Sequence, residues 1–321
     1  MRVGFAGAGF IAGVHAGVLA AQPGTKLTTV FDPNESHAGA FAAKTGARTV
    51  PSFEDLLASC DAVYICAPNV HHAGMAVAAL EAGLHVFSEK PMATSPAEAR
   101  RVYNAAERAS GVYQIGFNKR YAAVYTELKR RIEDGRLGAR WANMKMNRGE
   151  LLKPSWVGDP SHTGGYLYET PIHLLDMASW LFGPVTEAVC RARQTCSAQL
   201  DDFAIILTFA SGMAATLTSS AHTTWLFPYE RVEVYGEYAT AVTEEMERVT
   251  FQHGLEAQPE LLDVSDLPVA RRWGYAAGDE AFLAAIRDGK SRAAGVREGL
   301  AAVALVDACY RAAESWLPVR L

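Results

Sequence analysis

The sequence has no surplus of positive charge. Its 30 Lys and Arg residues are outnumbered by 35 Asp and Glu residues, which gives a formal net charge of −5 at pH 7. Proteins that hold nucleic acids or anionic membrane surfaces do so with clustered Lys and Arg. We therefore expect small-molecule partners, with neither nucleic acid nor membrane among them.

Paired cysteines and long apolar runs are also missing. The five cysteines are scattered and odd in number, and none lies in a CxxC pair: Cys60, Cys66, Cys190, Cys196 and Cys309. This spacing argues against zinc and thiol redox motifs and is typical of reduced thiols in a cytoplasm. His15 interrupts the apolar run after Arg2, which does not suit a signal peptide. No other stretch is apolar enough for long enough to span a bilayer, so we expect a cytoplasmic protein.

Two rhythms divide the chain into two predicted domains. Up to about residue 116, short runs rich in Val, Ile, Phe and Tyr alternate with helical patterns, which is typical of a parallel sheet covered on both faces. After a helix near 122–134, strand patterns follow one another, with a helix near 171–182 and two more near 278–288 and 296–316. We predict a Rossmann α/β domain over 1–118. Residues 119–321 are predicted to form an α+β domain with a large, mainly antiparallel, open-faced sheet.

A glycine-rich turn follows the first predicted strand. It reads Gly7-Ala8-Gly9-Phe10-Ile11-Ala12, a G-x-G-x-x-A in which small residues permit a tight turn and close approach of a pyrophosphate. The phosphate charge would be bound by backbone amides at the following helix N-terminus. Asp32 ends the second strand, where an acid binds the ribose hydroxyls and repels a 2′-phosphate. The pattern predicts a dinucleotide site for NAD, with NADP less favoured.

These motifs, together with others further along, resemble those of the glucose-fructose oxidoreductase / inositol dehydrogenase / MocA family. The resemblance covers essentially the whole chain and rests on Gly7–Ala12 with His15, on the run 67–72, on Glu89-Lys90-Pro91, on the run 116–121, and on Gly164-Gly165 followed by His173 and Asp176. It implies a Rossmann domain joined to an open-faced sheet domain, with NAD(P) and a sugar or polyol between them. The cofactor contacts we assign are Gly7, Gly9, Phe10, Ile11, Asp32, Ala67, Pro68, Asn69, His72, Glu89 and Lys90.

Lys90 and His173 carry the chemistry that the resemblance implies. Lys90 follows a strand, so it lies at the edge where ligands of doubly wound sheets bind, although a lysine at such a rim is often merely solvated. Its ammonium would stabilise negative charge on the reacting oxygen. His173 lies near the start of a helix for which Thr170 is the expected N-cap, and the helix dipole disfavours a second positive charge there. A neutral imidazole suits a general base, although a core role is the alternative.

Glu169 stands where the family usually has aspartate, four residues before this histidine. It is predicted to be catalytic or substrate-binding: it either orients His173 or binds substrate. Asp176 either faces the same way as His173 or packs the helix. Lys119 and Trp156 are further predicted substrate contacts, with plain packing the alternative for Trp156. No metal is expected, since no second histidine lies near His173.

The predicted activity is hydride transfer between a secondary alcohol of a cyclic polyol, sugar or sugar derivative and the nicotinamide. One alternative is a glycosidase that retains its NAD and works by oxidation and elimination. Another is a dinucleotide-binding protein without catalysis, because a fold does not guarantee chemistry. A homodimer or homotetramer formed through the second-domain sheet is also expected, because such a sheet can leave one face uncovered.

Overall fold

The protein is described by a computed structural model that covers residues 1–149, 155–289 and 294–321. It divides into two compact units. Unit 1 comprises 1–118 and 275–300, and unit 2 comprises 119–274 and 301–321. The division into domains at residues 118 and 119 stays a prediction.

Unit 1 contains a parallel sheet covered by helices. Its elements are β1 (Arg2–Ala6), α1 (Phe10–Ala20), β2 (Lys26–Phe31), α2 (Glu35–Thr45), β3 (Arg48–Thr49), α3 (Phe53–Leu57), β4 (Ala62–Ile65), α4 (Asn69–Glu81), β5 (His85–Ser88), α5 (Pro96–Arg108), β6 (Tyr113–Ile115) and, much later in the chain, α11 (Tyr275–Asp288). The strand order is β3-β2-β1-β4-β5-β6. Sequential strands run outward from β1 on both sides, which is the doubly wound arrangement. The prediction of a Rossmann fold is confirmed.

The switch point of this sheet lies between β1 and β4. The two strands pair in parallel, with Phe5 opposite Tyr64 and Ala6 opposite Ile65. Ligands of open α/β sheets bind outside the carboxyl ends of the strands at such a point. The residues after β1, β4 and β5 therefore share one edge of the sheet.

Aromatic side chains form the centre of the unit 1 core. Tyr64 and Phe87 stack with their ring centroids 4.6 Å apart, and Phe5 lies 5.3 Å from Tyr64. Phe282 of α11 packs edge-on against Tyr64 and Phe87. Each of these large rings removes apolar surface from water, so α11 completes the core of the sheet that begins the chain.

Unit 2 is built on a second, larger sheet. Its elements are α6 (Ala123–Glu133), β7 (Trp141–Asn147), α7 (Pro160–Thr163), α8 (Tyr166–Glu169), α9 (Ile172–Phe182), β8 (Val185–Arg193), β9 (Asp202–Phe209), β10 (Ala214–Ser220), β11 (Glu230–Gly236), β12 (Ala239–Glu244), β13 (Arg248–His253), β14 (Glu260–Asp263), α10 (Val269–Arg272), most of α12 (Val296–Ser315) and β15 (Val319–Arg320). The order is β14-β13-β12-β11-β7-β10-β9-β8-β15. β7 and β10 pair in parallel, and the other pairs within the described sheet are antiparallel.

The strands of this sheet alternate between a buried and a more exposed face. In β9, Phe203 and Phe209 are buried, whereas Ile206 is 46% exposed. The buried side packs on helices, because Phe182 of α9 contacts Phe209 and Tyr310 of α12 contacts Phe203. Period-two alternation with helices against one face confirms the predicted open-faced sheet.

Candidate active site

Gly7 turns the chain sharply after β1. Its φ is +97°, a conformation that favours glycine, and a Cβ built there would lie 2.5 Å from the Cys66 carbonyl oxygen. Its N–H donates to the Phe31 carbonyl at 2.8 Å. The first glycine of the motif is therefore required by the packing of the protein itself.

Gly9 is different, because the protein leaves room around it. Among the residues that the structure describes, a Cβ there would meet no heavy atom within 4 Å, and the backbone of Gly9 is extended with φ −79°. It is the N-cap of α1, and no side chain of the described residues caps that helix. Phe10, the first residue of α1, is 84% exposed, and Ile11 follows it half-buried. An uncapped helix N-terminus beside an open glycine fits a diphosphate group, which is attracted by the positive end of the helix.

Asp32 joins the glycine turn to the end of β2. Its Oδ2 accepts the Ala8 N–H at 2.9 Å, and its Oδ1 accepts the Asn34 N–H at 2.9 Å. These backbone donors fix the carboxylate beside the turn, where it fits the predicted contact with ribose hydroxyls.

The run that follows β4 leads directly into α4. Ala67 and Pro68 precede the helix, and Asn69 is its first residue. His72 is buried with its Nδ1 at 2.7 Å from the Pro91 carbonyl and its Nε2 at 2.7 Å from the Ala67 carbonyl. Burial lowers the pKa of His72, although both carbonyls oppose this effect. His72 thus ties together the segments that follow β4 and β5, and its contact with the cofactor stays a prediction.

Glu89 and Lys90 come directly after β5. Lys90 is half-buried, and its N–H donates to Glu89 Oε2 at 3.2 Å. The Glu89 side chain is buried and lies 3.1 Å from His15 Nε2 through its Oε1. Burial would raise the pKa of Glu89, but His15 and Lys90 together lower it, so Glu89 is ionised at neutral pH.

His15 has a second carboxylate on its other ring nitrogen. Its Nδ1 lies 2.8 Å from Oδ1 of Asp279, which is on α11. Burial would lower the pKa of His15, but Asp279 and Glu89 raise it to about 10, so the ring is charged at neutral pH. Asp279 was missed because it lies 264 residues away in sequence, and no local pattern links it to His15.

The predicted base and its acidic neighbour lie on consecutive helices of unit 2. Glu169 is the last residue of α8 and is half-buried, and His173 is the second residue of α9 and is buried. The prediction that Thr170 caps this helix is wrong. Thr170 is the C-cap of α8, with helical angles of φ −98° and ψ −39°, and the N-cap position of α9 falls on Pro171, which makes no side-chain capping bond.

The segment that carries Glu169 is anchored from two sides. At Gly165 the φ is +118°, and a Cβ there would lie 2.6 Å from the Tyr310 hydroxyl. The same hydroxyl accepts the Leu167 N–H at 3.0 Å. Gln199 accepts the Tyr166 N–H through its Oε1 and donates through its Nε2 to the Gly158 carbonyl. The second glycine of Gly164-Gly165 is therefore needed for close packing against α12.

Asp176 is engaged by an arginine. Arg120 donates to its two carboxylate oxygens from Nε at 2.8 Å and from a terminal nitrogen at 2.6 Å. Both side chains are largely buried. This bidentate pair favours the packing alternative for Asp176, because the fork of the guanidinium occupies both oxygens.

Lys119 is buried in unit 2. Its ammonium forms an ion pair with Glu230, which also accepts the Tyr125 hydroxyl at 2.5 Å. Glu245 lies alongside and accepts the Glu230 N–H at 3.0 Å. The ion pair favours a structural role for Lys119, and its contact with substrate stays a prediction. Trp156 is 37% exposed in a short 3-10 helix.

Models of two family domains match nearly the whole chain. An oxidoreductase family with an NAD-binding Rossmann fold matches residues 1–117, and the C-terminal alpha/beta domain of the same oxidoreductase family matches residues 129–321. The chain belongs to the Gfo/Idh/MocA oxidoreductase family. The predicted resemblance, the nicotinamide cofactor NAD and the assignment as an NAD(P)-dependent dehydrogenase are confirmed.

Named relatives are similar over different shares of the chain. Inositol 2-dehydrogenase of Rhizobium meliloti (strain 1021) is 30% identical over 97% of this chain and 96% of its own length. D-glucoside 3-dehydrogenase of Escherichia coli (strain K12) is 32% identical over 59% of this chain and 56% of its own.

A solved structure of levoglucosan dehydrogenase with NADH and levoglucosan has the same fold. Its TM-score is 0.90 over 100% of this chain and 99% of that one, at 20% identity. Across the described ranges of the present chain, no helix has the length and apolar character needed to cross a membrane.

Proposed function

We propose that this Gfo/Idh/MocA protein oxidises a secondary alcohol of a cyclic polyol or sugar, with NAD as the acceptor. The observation that carries the proposal is the open, uncapped N-terminus of α1 behind Gly9, with Asp32 beside it and Lys90 on the same edge of the sheet. The full-length similarity to an inositol 2-dehydrogenase and the partial similarity to a D-glucoside 3-dehydrogenase support a polyhydroxylated substrate.

The residues that would hold the cofactor are those around the glycine turn. The amides of Phe10 and Ile11 bind the diphosphate, and the Asp32 carboxylate accepts the ribose hydroxyls. Contacts from Ala67, Pro68 and Asn69 complete the dinucleotide site. When bound, NAD supplies the acceptor for the hydride that leaves the alcohol carbon.

The protein's own groups handle the proton and the oxygen. His173 accepts the hydroxyl proton as general base, and the Lys90 ammonium donates a hydrogen bond to the oxygen as negative charge develops there. Glu169 either orients the imidazole or accepts a hydroxyl of the substrate. Trp156 offers an apolar ring face on which a sugar ring can pack.

A turnover panel tests this proposal. Purified protein is mixed with NAD and a series of inositols, hexoses and glycosides, and NADH is followed by its absorbance. We expect NADH with at least one cyclic polyol or sugar, and loss of that signal in Lys90→Ala and His173→Ala. No NADH with any compound would refute the proposal. Sugar release from a glycoside without net NADH would indicate the oxidation and elimination alternative instead.

We also propose that the exposed face of the nine-stranded sheet is an interface between copies of this chain. Trp141 and Ile206 lie on that face and are 41% and 46% exposed. A patch of apolar side chains on one face of a sheet, as opposed to a single exposed one, is the kind of surface that a protein partner covers. Light scattering should give at least twice the chain mass of 34.6 kDa, and a monomer mass would refute this.

A further inference from the structure

A buried charged cluster joins three elements of unit 1. It consists of His15 on α1, Glu89 after β5, and Asp279 on α11. The His15 ring has Asp279 oxygens at 2.8 and 3.0 Å from Nδ1 and Glu89 Oε1 at 3.1 Å from Nε2. The exposed fractions of the three residues are 1%, 7% and 0%. With a carboxylate on each nitrogen, the ring donates from both sides, which requires the doubly protonated form.

Glu89 has little freedom to move in this arrangement. Its second oxygen, Oε2, accepts the Lys90 N–H. A Cβ placed on Gly116 would lie 2.7 Å from Glu89 Oε1, so the carboxylate lies close against the backbone of Gly116, which directly follows β6. Because the Glu89 carboxylate is held in place, the Lys90 N–H that donates to it is held in place as well.

Stability alone is a poor reason for such a cluster. Burying three charged groups costs solvation free energy, and well-packed apolar residues of similar size often stabilise a core equally well or better. The surroundings of His15 are already aromatic, since Tyr64, Phe87 and Tyr275 contact its ring. An apolar side chain would suit them, so the charged network points to a task beyond packing.

The placement of His15 on α1 indicates that task. α1 begins at Phe10, directly behind the glycine turn, and His15 lies within its second turn. The same helix thus carries its N-terminal amides at the glycine turn and, through His15, binds the carboxylate of Glu89, the residue before Lys90.

We propose that His15 is a positioning residue that holds Glu89, and through it Lys90, in fixed register with the dinucleotide loop, and that Asp279 orients the His15 ring for this purpose. The inference rests on the proposed function, in which the Lys90 ammonium donates a hydrogen bond to the reacting oxygen. His15 and Asp279 act through Glu89 and Lys90, and neither of them touches the reacting atoms.

Two nearly isosteric substitutions separate positioning from packing. The amide of glutamine lies near the position of Nε2, so His15→Gln can still donate to Glu89. The amide of asparagine lies near Nδ1, so His15→Asn keeps the bond to Asp279 and loses Glu89. We expect His15→Gln to retain kcat within about tenfold and His15→Asn to lose about 100-fold, the scale of a 1 Å misplacement, with little change in KM.

A second readout needs no substrate. Lys90 is labelled with an amine-acylating reagent, with and without NAD, and the labelled peptide is quantified by mass spectrometry. We expect His15→Asn to label Lys90 several times faster than the unaltered protein or His15→Gln, because the segment is released. Tyr64→Phe is the matched control: it removes the hydroxyl that donates to Asp279 at 3.2 Å but leaves Glu89 untouched, so kcat and labelling should stay unchanged.

The outcomes are distinguishable. Equal kcat and equal labelling in the two His15 variants would overturn the positioning role. If the unaltered protein turns over no substrate, the proposed function fails, and the labelling comparison still decides the role of His15. Should His15→Asn not fold, Asp279→Asn takes its place; faster labelling with retained NAD affinity supports the inference, and unaltered labelling overturns it.

Discussion

Alanine at Gly7 and alanine at Gly9 should have opposite effects on stability and on NAD binding. At Gly7, a φ of +97° and a Cβ 2.5 Å from the Cys66 carbonyl oxygen leave an alanine strained. Backbone strain of this kind costs about 1–3 kcal/mol, and the overlap adds about 1–3 kcal/mol. Gly7→Ala should therefore lower the free energy of unfolding by at least about 2 kcal/mol, a large part of an ordinary protein's stability.

Gly9→Ala should leave the fold intact and damage the binding site. The backbone at Gly9 has angles that any residue adopts, and the added methyl group meets no atom within 4 Å in the described part of the chain. Its cost to the helix cap is under about 1 kcal/mol. A pyrophosphate that approaches this glycine closely would be displaced, at about 1–3 kcal/mol, which corresponds to about 5- to 150-fold weaker NAD binding.

Calorimetric titration with NAD and thermal unfolding, run on both variants and the unaltered protein, check this pair. NAD affinity of Gly9→Ala within about twofold of the unaltered protein would refute the close approach of a ligand to Gly9. A fall in melting temperature as large in Gly9→Ala as in Gly7→Ala would refute the argument that packing requires glycine at Gly7 alone.

Three further predictions concern charged side chains. Asp32→Ala should weaken NAD binding by about 10-fold or more and reduce the preference for NAD over NADP, because the carboxylate no longer repels a 2′-phosphate; titrations with both cofactors measure this. Burial raises the pKa of Glu245 to about 7, so its stabilising contribution is complete at low pH and is lost as pH rises from about 4.5 through about 7. Melting curves between about pH 5 and pH 8 should show that the free energy of unfolding of the unaltered protein decreases relative to that of Glu245→Gln by up to about 3 kcal/mol. A difference between the two proteins that does not depend on pH would contradict this. Asp176→Ala leaves Arg120 buried without its carboxylate, so chemical denaturation should show a loss of about 3 kcal/mol, much of it restored in Asp176→Ala combined with Arg120→Met.

The Rossmann fold and the glycine turn were predictable because their signals are local. Apolar runs bounded by Gly, Pro, Asp or Asn mark β1, β2, β4, β5 and β6, and in unit 2 a Ser-Gly turn marks the hairpin between β9 and β10, where Gly212 has a φ of +85°. The short strands β3, β13, β14 and β15 carry little apolar signal, because they have only two to six residues and polar residues make up half or more of each.

Contacts between distant parts of the chain could not be predicted. Arg120 and Asp176 are 56 residues apart, and Lys119 and Glu230 are 111 apart. A single charged residue in a sequence reads as a solvated surface group unless its partner is known. Thr170 shows a different limit: its hydroxyl suits an N-cap, but α8 leads into α9 with almost no break, so Thr170 is the C-cap of α8 and Pro171 takes the N-cap position of α9.

The late position of α11 in the chain has a consequence for synthesis. Unit 1 draws on residues 1–118 and again on residues 275–300, with Phe282 packing against the central rings and Asp279 binding His15. A ribosome makes the chain from its N-terminus, so the core of the first sheet cannot be completed until α11, which begins at Tyr275, has been made. Until then its aromatic face is uncovered, so residues 119–274 of unit 2 are made while the core of the nucleotide-binding unit is still incomplete.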